Sequence, residues 1–167
     1  MSGQPEPWLR GTHTDTPAVI RAVIHTLELC REDIEKHCAR LSDEQLNARP
    51  AGVAHITFHL RHIVRSLDRL LTYAEGRQLS DAQMQALKTE IEPDATASAL
   101  MSEFKTGIDN AQGRLRAFAD IDLEQPRAVG RKQLPASVGG LLVHCADHTQ
   151  RHTGQAVTTA KIVQAKS

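Results

Sequence analysis

Leu141 to Gln155 reads LLVHCADHTQRHTGQ, with His144, His148 and His152 spaced four residues apart. Four residues advance an α-helix by one turn plus roughly 40°, so neighbours in this series share a face, with Cβ atoms ~5–6 Å apart. Two imidazoles at that spacing can grip one metal ion, as they do in H-E-x-x-H helices. A second cluster, His55, His59 and His62, lies in AHITFHLRHIVRSLDRLL, and together the two stretches hold six of the nine histidines. The spacing therefore predicts two helices, distant in sequence, that meet across a metal.

Working outward, residues 1–13 contain two prolines and two glycines and read as an extended lead-in, with Trp8 and Leu9 apolar enough to tuck against the body. Asp15 or Thr16 can cap a first long helix and Pro17 suits its first turn. Val19, Ile20, Val23, Ile24, Leu27, Cys30, Ile34, Cys38 and Leu41 then recur at threes and fours, the stripe of a core-facing helix. Ser42 and Gln45 make a capping box for a short helix that Pro50 and Gly52 end.

A second long helix is expected over 53–74, a short one over 80–90, a third long one over 95–119 and a fourth from 136–138 to 163. Gly107 and Gly113 weaken the third helix locally, and Gly154 invites a kink in the fourth. Residues 120–135 read as an irregular connection, because no segment alternates with period two. The chain is thus all-α, with four long helices. The connection over 75–95 is long enough to cross a bundle end to end, which would make the second and third long helices parallel neighbours.

Equal numbers of acidic and basic residues, 20 each, remove the usual electrostatic reason to expect a nucleic-acid partner. No apolar run approaches the roughly 18 residues of a membrane span, and the first residues do not read as a signal peptide. Three cysteines without a C-x-x-C pair fit reduced core thiols in a cytoplasmic protein.

A single histidine on an apolar face is ordinarily a hydrogen-bonded structural group. Several buried together need partners, because each loses solvation. His144, His148 and His152 drift by roughly 80° around the helix, so one ion is more naturally held by two of them. His55 and His62 lie ~10 Å apart along the axis and cannot share an ion, which leaves either His59 or His62 to complete a site. Neither His144–His148 nor His148–His152 encloses the glutamate of a zinc protease, and no E-x-x-H of di-iron bundles occurs. Three histidines leave a coordination position open, as catalytic rather than structural zinc does.

FHLRHIVRSLDRLL and GGLLVHCADHTQRHTGQ, with the His148, His152, Gln155 ending of H-x-x-x-H-x-x-Q, resemble the DinB/YfiT-like metalloenzymes. The likeness runs from EPWLRGTHTDTP to TTAKIV. It implies a four-helix bundle with up-down-down-up topology, forming a single domain over 14–167. It also implies zinc or nickel held by His62, His148 and His152. His62 is matched because Ile63 follows it and Asp68 lies downstream. His59 is the reserve ligand, and with His144, Gln155 and Asp68 it completes the set of supporting or pocket candidates. Asp68 and Asp147 are candidate acceptors for imidazole N–H groups, or Asp68 pairs with an arginine such as Arg65. The resemblance further implies a thiol S-transferase or hydrolase acting on a small molecule, with a low-molecular-weight thiol as cosubstrate, and a homodimer. The alternative is a bundle in which the metal is only a staple or the histidines line a ligand cavity.

Overall fold

The computed structural model describes residues 4–165, which form six α-helices and one small antiparallel sheet. The helices are α1 (Ala18–Cys38), α2 (Asp43–Asn47), α3 (Ile56–Ala74), α4 (Asp81–Lys88), α5 (Ala97–Arg116) and α6 (Val138–Ala165). Strands β1 (Pro126–Val129) and β2 (Leu134–Ser137) pair between α5 and α6.

The core forms where the apolar stripes meet. Ile20, Ile24, Leu27 and Ile34 of α1, Leu60, Ile63, Leu67 and Leu71 of α3, Phe104 and Ile108 of α5, and Leu142 and Ala160 of α6 are all buried. Each of the four long helices packs on two others: α6 on α1 and α3, and α5 on α3 and α1. Thr26 and Cys30 meet Gln150 and Thr153, so α1 and α6 run in the same direction. Arg65 meets Glu103 and Asp68 meets Arg114, so α3 and α5 also run together. His59 meets His152 while His62 meets His148, so α3 and α6 run oppositely.

Local chemistry sets the element ends. Ser42 and Ser80 each complete a capping box, with Gln45 and Gln83 respectively. α3 begins at Ile56, three residues later than its apolar pattern suggests, because His55 is its N-cap. His55 Nδ1 accepts from the Phe58 amide at 2.8 Å, and its Nε2–H donates to the Ile91 carbonyl at 2.9 Å. α1 has Pro17 as its N-cap and no side-chain cap, so neither Asp15 nor Thr16 serves.

Several expectations need correction. Of the lead-in, residues 1–3 lie outside those described, and Pro7–Leu9 form a 3-10 turn instead of extended chain. Pro7 is buried there, while Trp8 and Leu9 are exposed. The connection expected over 120–135 holds most of a hairpin that runs on to Ser137, whose prolines break any alternation yet are tolerated in a two-stranded ribbon. Arg127 Nε–H ties that hairpin to the end of α3 by donating to the Ala74 carbonyl at 2.6 Å. α6 passes Gly154 without a break. Its first amides are met by the preceding loop, Val138 donating to Gln125 O and Gly139 to Leu123 O.

Candidate metal centre

α3 and α6 bring His62, His148 and His152 together, with one potential donor atom from each within 4.8 Å of the others. Their ring centroids form a triangle with sides of 4.5, 4.7 and 4.9 Å. Phe58, one turn before His62, stacks on that ring at 5.2 Å and meets His59 and His152 edge-on. The cluster is thus packed on one side by an aromatic ring from the same helix.

The outward-facing nitrogens set the protonation of the inward ones. Glu90, only 2% exposed, has Oε2 at 2.7 Å from His62 Nδ1 and Oε1 paired with Arg69. Burial pushes its carboxyl up, but hydrogen bonds from His62 and Arg69 outweigh that and hold it below the usual carboxylate range. The ionised oxygen can only accept, so His62 donates to it from Nδ1–H, and Nε2 is the atom left to face the other histidines.

Ser66 plays the same part for His148. Its hydroxyl donates to the Ile63 carbonyl at 3.0 Å, leaving its oxygen to accept from His148 Nδ1–H at 3.3 Å. His152 Nδ1 lies 3.0 Å from His59 Nδ1, and a proton on the former, donated to the latter, frees His152 Nε2 as a ligand atom.

His62 Nε2 and His148 Nε2 then face each other at 3.3 Å, the two ring atoms that these outer contacts leave turned towards each other. Two zinc–nitrogen bonds of ~2.0–2.1 Å at a tetrahedral angle would place their nitrogens roughly 3.3–3.4 Å apart. The donor set and its spacing therefore fit a divalent ion of zinc type. Burial first, and neighbouring imidazoles second, lower the pKa values of His59, His148 and His152 to about 4. These rings are neutral at physiological pH and able to ligate.

This lowering predicts how the metal-free protein responds to acid. An unfolded histidine takes up its proton near 6.5, whereas the folded rings resist until about 4. Stability is then full above pH ~6.5 and declines as pH falls towards ~4, where the unfolded chain binds more protons. Thermal melts of chelator-treated protein should show the midpoint falling through that window. A flat profile would mean the imidazoles are not held neutral.

The remaining candidates are scattered. His144 is exposed on α6, its ring 5.4 Å from that of His148, and it lines a cavity of about 590 Å³ with His62, Ser66 and His148. Arg69, Tyr73, Asp81, Met84 and Arg131 also line this cavity, so the histidines open onto a space that is part apolar and part charged, with both signs present. Gln155 is exposed and lines a different depression with His59 and Arg151. Asp68 meets no imidazole: its oxygens accept from Arg114 and Gln83, while Arg65 pairs with Glu103. Asp147 pairs with Arg151 and approaches His144. His55 is occupied as a cap. Cys145 points into the core, where burial pushes its thiol up to about 12, as it does for Cys30 and Cys38.

Glu90 and Ser66 are the working groups that sequence reasoning missed. Neither carries a motif, and Glu90 stands 28 residues from the histidine it orients.

The chain is a mostly helical protein whose half-buried histidine group could hold a metal ion. The family model of the DinB superfamily matches residues 26–156, and the chain belongs to that superfamily. That stretch includes both histidine clusters and Glu90. No curated protein matches the chain. Among the described residues, no helix is long and apolar enough to cross a membrane.

Proposed function

We propose that the chain is a metal-dependent enzyme of the thiol S-transferase or hydrolase type, with His62, His148 and His152 as ligands of zinc or nickel. The convergence of His62, His148 and His152, with the Nε2 atoms of the first two 3.3 Å apart, carries this reading, since that is the spacing of two donors on one small cation. An ion held there would act as a Lewis acid, making a low-molecular-weight thiol or a water nucleophilic at neutral pH. Glu90, Ser66 and His59 hold the three rings in the tautomer that points Nε2 inward. The cavity beside His62 and His148 gives a small-molecule substrate access, and a site open to a cavity favours catalysis over stapling. Arg69 is engaged by Glu90, which leaves Arg131, Asp81 and Gln78, with the apolar lining, to position the substrate.

The wider reading is a cytoplasmic homodimer whose residues 14–167 form one up-down-down-up four-helix bundle. The pairwise directions of the long helices support that topology. Neither nucleic acid nor membrane is a partner, in keeping with the balanced charge.

Metal content tests the ligand assignment. Purified wild type should carry about one equivalent at this site, lost in His62→Ala, His148→Ala and His152→Ala and kept in His59→Ala. Loss in His59→Ala with retention in His62→Ala would move the α3 ligand by one turn. Chelation separates catalyst from staple: a catalyst loses thiol-dependent turnover of electrophiles with modest destabilisation, whereas a staple loses most of its melting temperature.

A further inference from the structure

The segment before α1 and the first turns of that helix hold a second group of donors, remote in sequence from those above. His13, His25 and Glu28 each offer one donor atom, and these lie within 4.8 Å of one another. His25 and Glu28 are three residues apart on α1, so their side chains share a face. His13 reaches them from the preceding segment, its Nε2 at 2.7 Å from Glu28 Oε1 and its ring centroid 5.5 Å from that of His25. His25 is buried, with Nε2 at 3.0 Å from Thr12 Oγ1.

Among the described residues, His13 is one of three non-glycine residues with positive φ, at 56°, a conformation that L side chains seldom adopt. Such a residue persists where its surroundings over-determine it. The surroundings here are the His13–Glu28 contact and, one turn further along α1, the fork of Arg10 onto both oxygens of Glu32. With the Thr12–His25 contact, these fasten the segment to the helix at three positions, 25, 28 and 32. The Arg10 clasp is complete in itself, whereas the histidine clasp brings together two imidazoles and a carboxylate.

We propose that His13, His25 and Glu28 form a second divalent-cation site, which ties the N-terminal segment to α1. Two imidazoles and one carboxylate are the nitrogen and oxygen donors that zinc and its neighbours accept. Closing from the present separations onto an ion at ~2.0–2.2 Å needs side-chain shifts on the order of an ångström. The two histidines lie before residue 26, where the match to the superfamily begins, and Glu28 falls just inside it.

Zinc stoichiometry tests the site without reference to activity. The full-length protein is stripped, reloaded with excess zinc and passed through metal-free buffer before the metal is counted. Glu28→Gln and His13→Gln should each bind one equivalent fewer than wild type, whatever the wild-type total, with an unchanged circular-dichroism spectrum. Zinc should also slow tryptic cleavage after Arg10 at least threefold in wild type and not in either variant. Wild-type stoichiometry in both folded variants overturns the proposal. So does zinc protection at Arg10 that survives both substitutions, which would leave the clasp as a plain imidazole–carboxylate hydrogen bond. The His148→Ala variant separates the two centres, because it should keep the equivalent that Glu28→Gln loses.

Discussion

Glu90→Gln is expected to weaken zinc binding 10- to 100-fold, the usual effect of removing a carboxylate that orients a ligating histidine. The native carboxylate can only accept from His62, so it fixes the proton on Nδ1 and the lone pair on Nε2. Glutamine has nearly the same shape but presents either its oxygen or its NH2 group. With the oxygen towards His62 the tautomer survives, but the negative charge that raises imidazole basicity is gone. With the NH2 group towards His62 the ring must accept at Nδ1, moving its proton to Nε2 and blocking the metal.

Glu90→Ala should add a fold penalty. Arg69, whose side chain is 11% exposed, would lose its buried partner. Breaking such a pair from one side destabilises by about 3–5 kcal/mol. Competition against a chelator of known affinity and urea melts read the two effects separately. An unchanged zinc Kd in Glu90→Gln would show that Phe58 stacking and the α3 backbone orient His62 without help from the carboxylate.

That prediction also marks where the sequence stops being legible. The long helices follow from apolar stripes, because residues such as Ile24, Leu27, Leu67 and Leu71 recur at helical spacing and are all buried. The His148–His152 pair is readable for the same reason, since a helix dictates which side chains share a face. His55 looks identical to His59 and His62 in sequence. Only the Phe58 amide and the Ile91 carbonyl assign it to the cap, and the latter is 36 residues away. Glu90 lies in the turn two residues beyond the end of α4, and nothing local distinguishes it from the other acidic residues of that connection. Its role depends on how the connection lies across α3, which tertiary packing decides. The hairpin hides because Pro126 and Pro135 contradict strand propensity, whereas its pairing depends on the turn at Gly130 and Gln133. Gly154 suggested a kink because glycine weakens an isolated helix. In α6 the packing of Ala156 and Ala160 against the neighbouring helices outweighs a propensity loss of ~1 kcal/mol.

Gly107→Ala is expected to destabilise the protein by about 2 kcal/mol, against the intuition that alanine strengthens a helix. A Cβ at position 107 would fall 2.4 Å from Val64 Cβ and 2.6 Å from Val64 Cγ1. The first of these atoms is fixed to the α3 backbone, and valine in a helix has essentially one comfortable χ1 rotamer. Relief therefore requires α5 to move off α3, spoiling the contacts of Phe104 and Ile108, both of which are buried. Overpacking of this kind costs typically 1–3 kcal/mol or more, and the opposing gain in helix propensity is at most ~1 kcal/mol. Gly113, six residues along the same helix, is the control: nothing lies within 4 Å of a Cβ added there. Gly113→Ala should stabilise by up to ~1 kcal/mol, so two identical substitutions in one helix move the urea midpoint in opposite directions. Val64→Ala added to Gly107→Ala should recover only part of the loss, because the Cβ–Cβ contact remains. Val64→Gly should remove the clash, at the cost of the buried Val64 side chain and of a glycine now in α3. If Gly107→Ala proved as stable as the wild type, α3 and α5 would have to stand further apart than this packing allows. The close approach of the helix carrying His59 and His62 to α5 would then need to be redrawn.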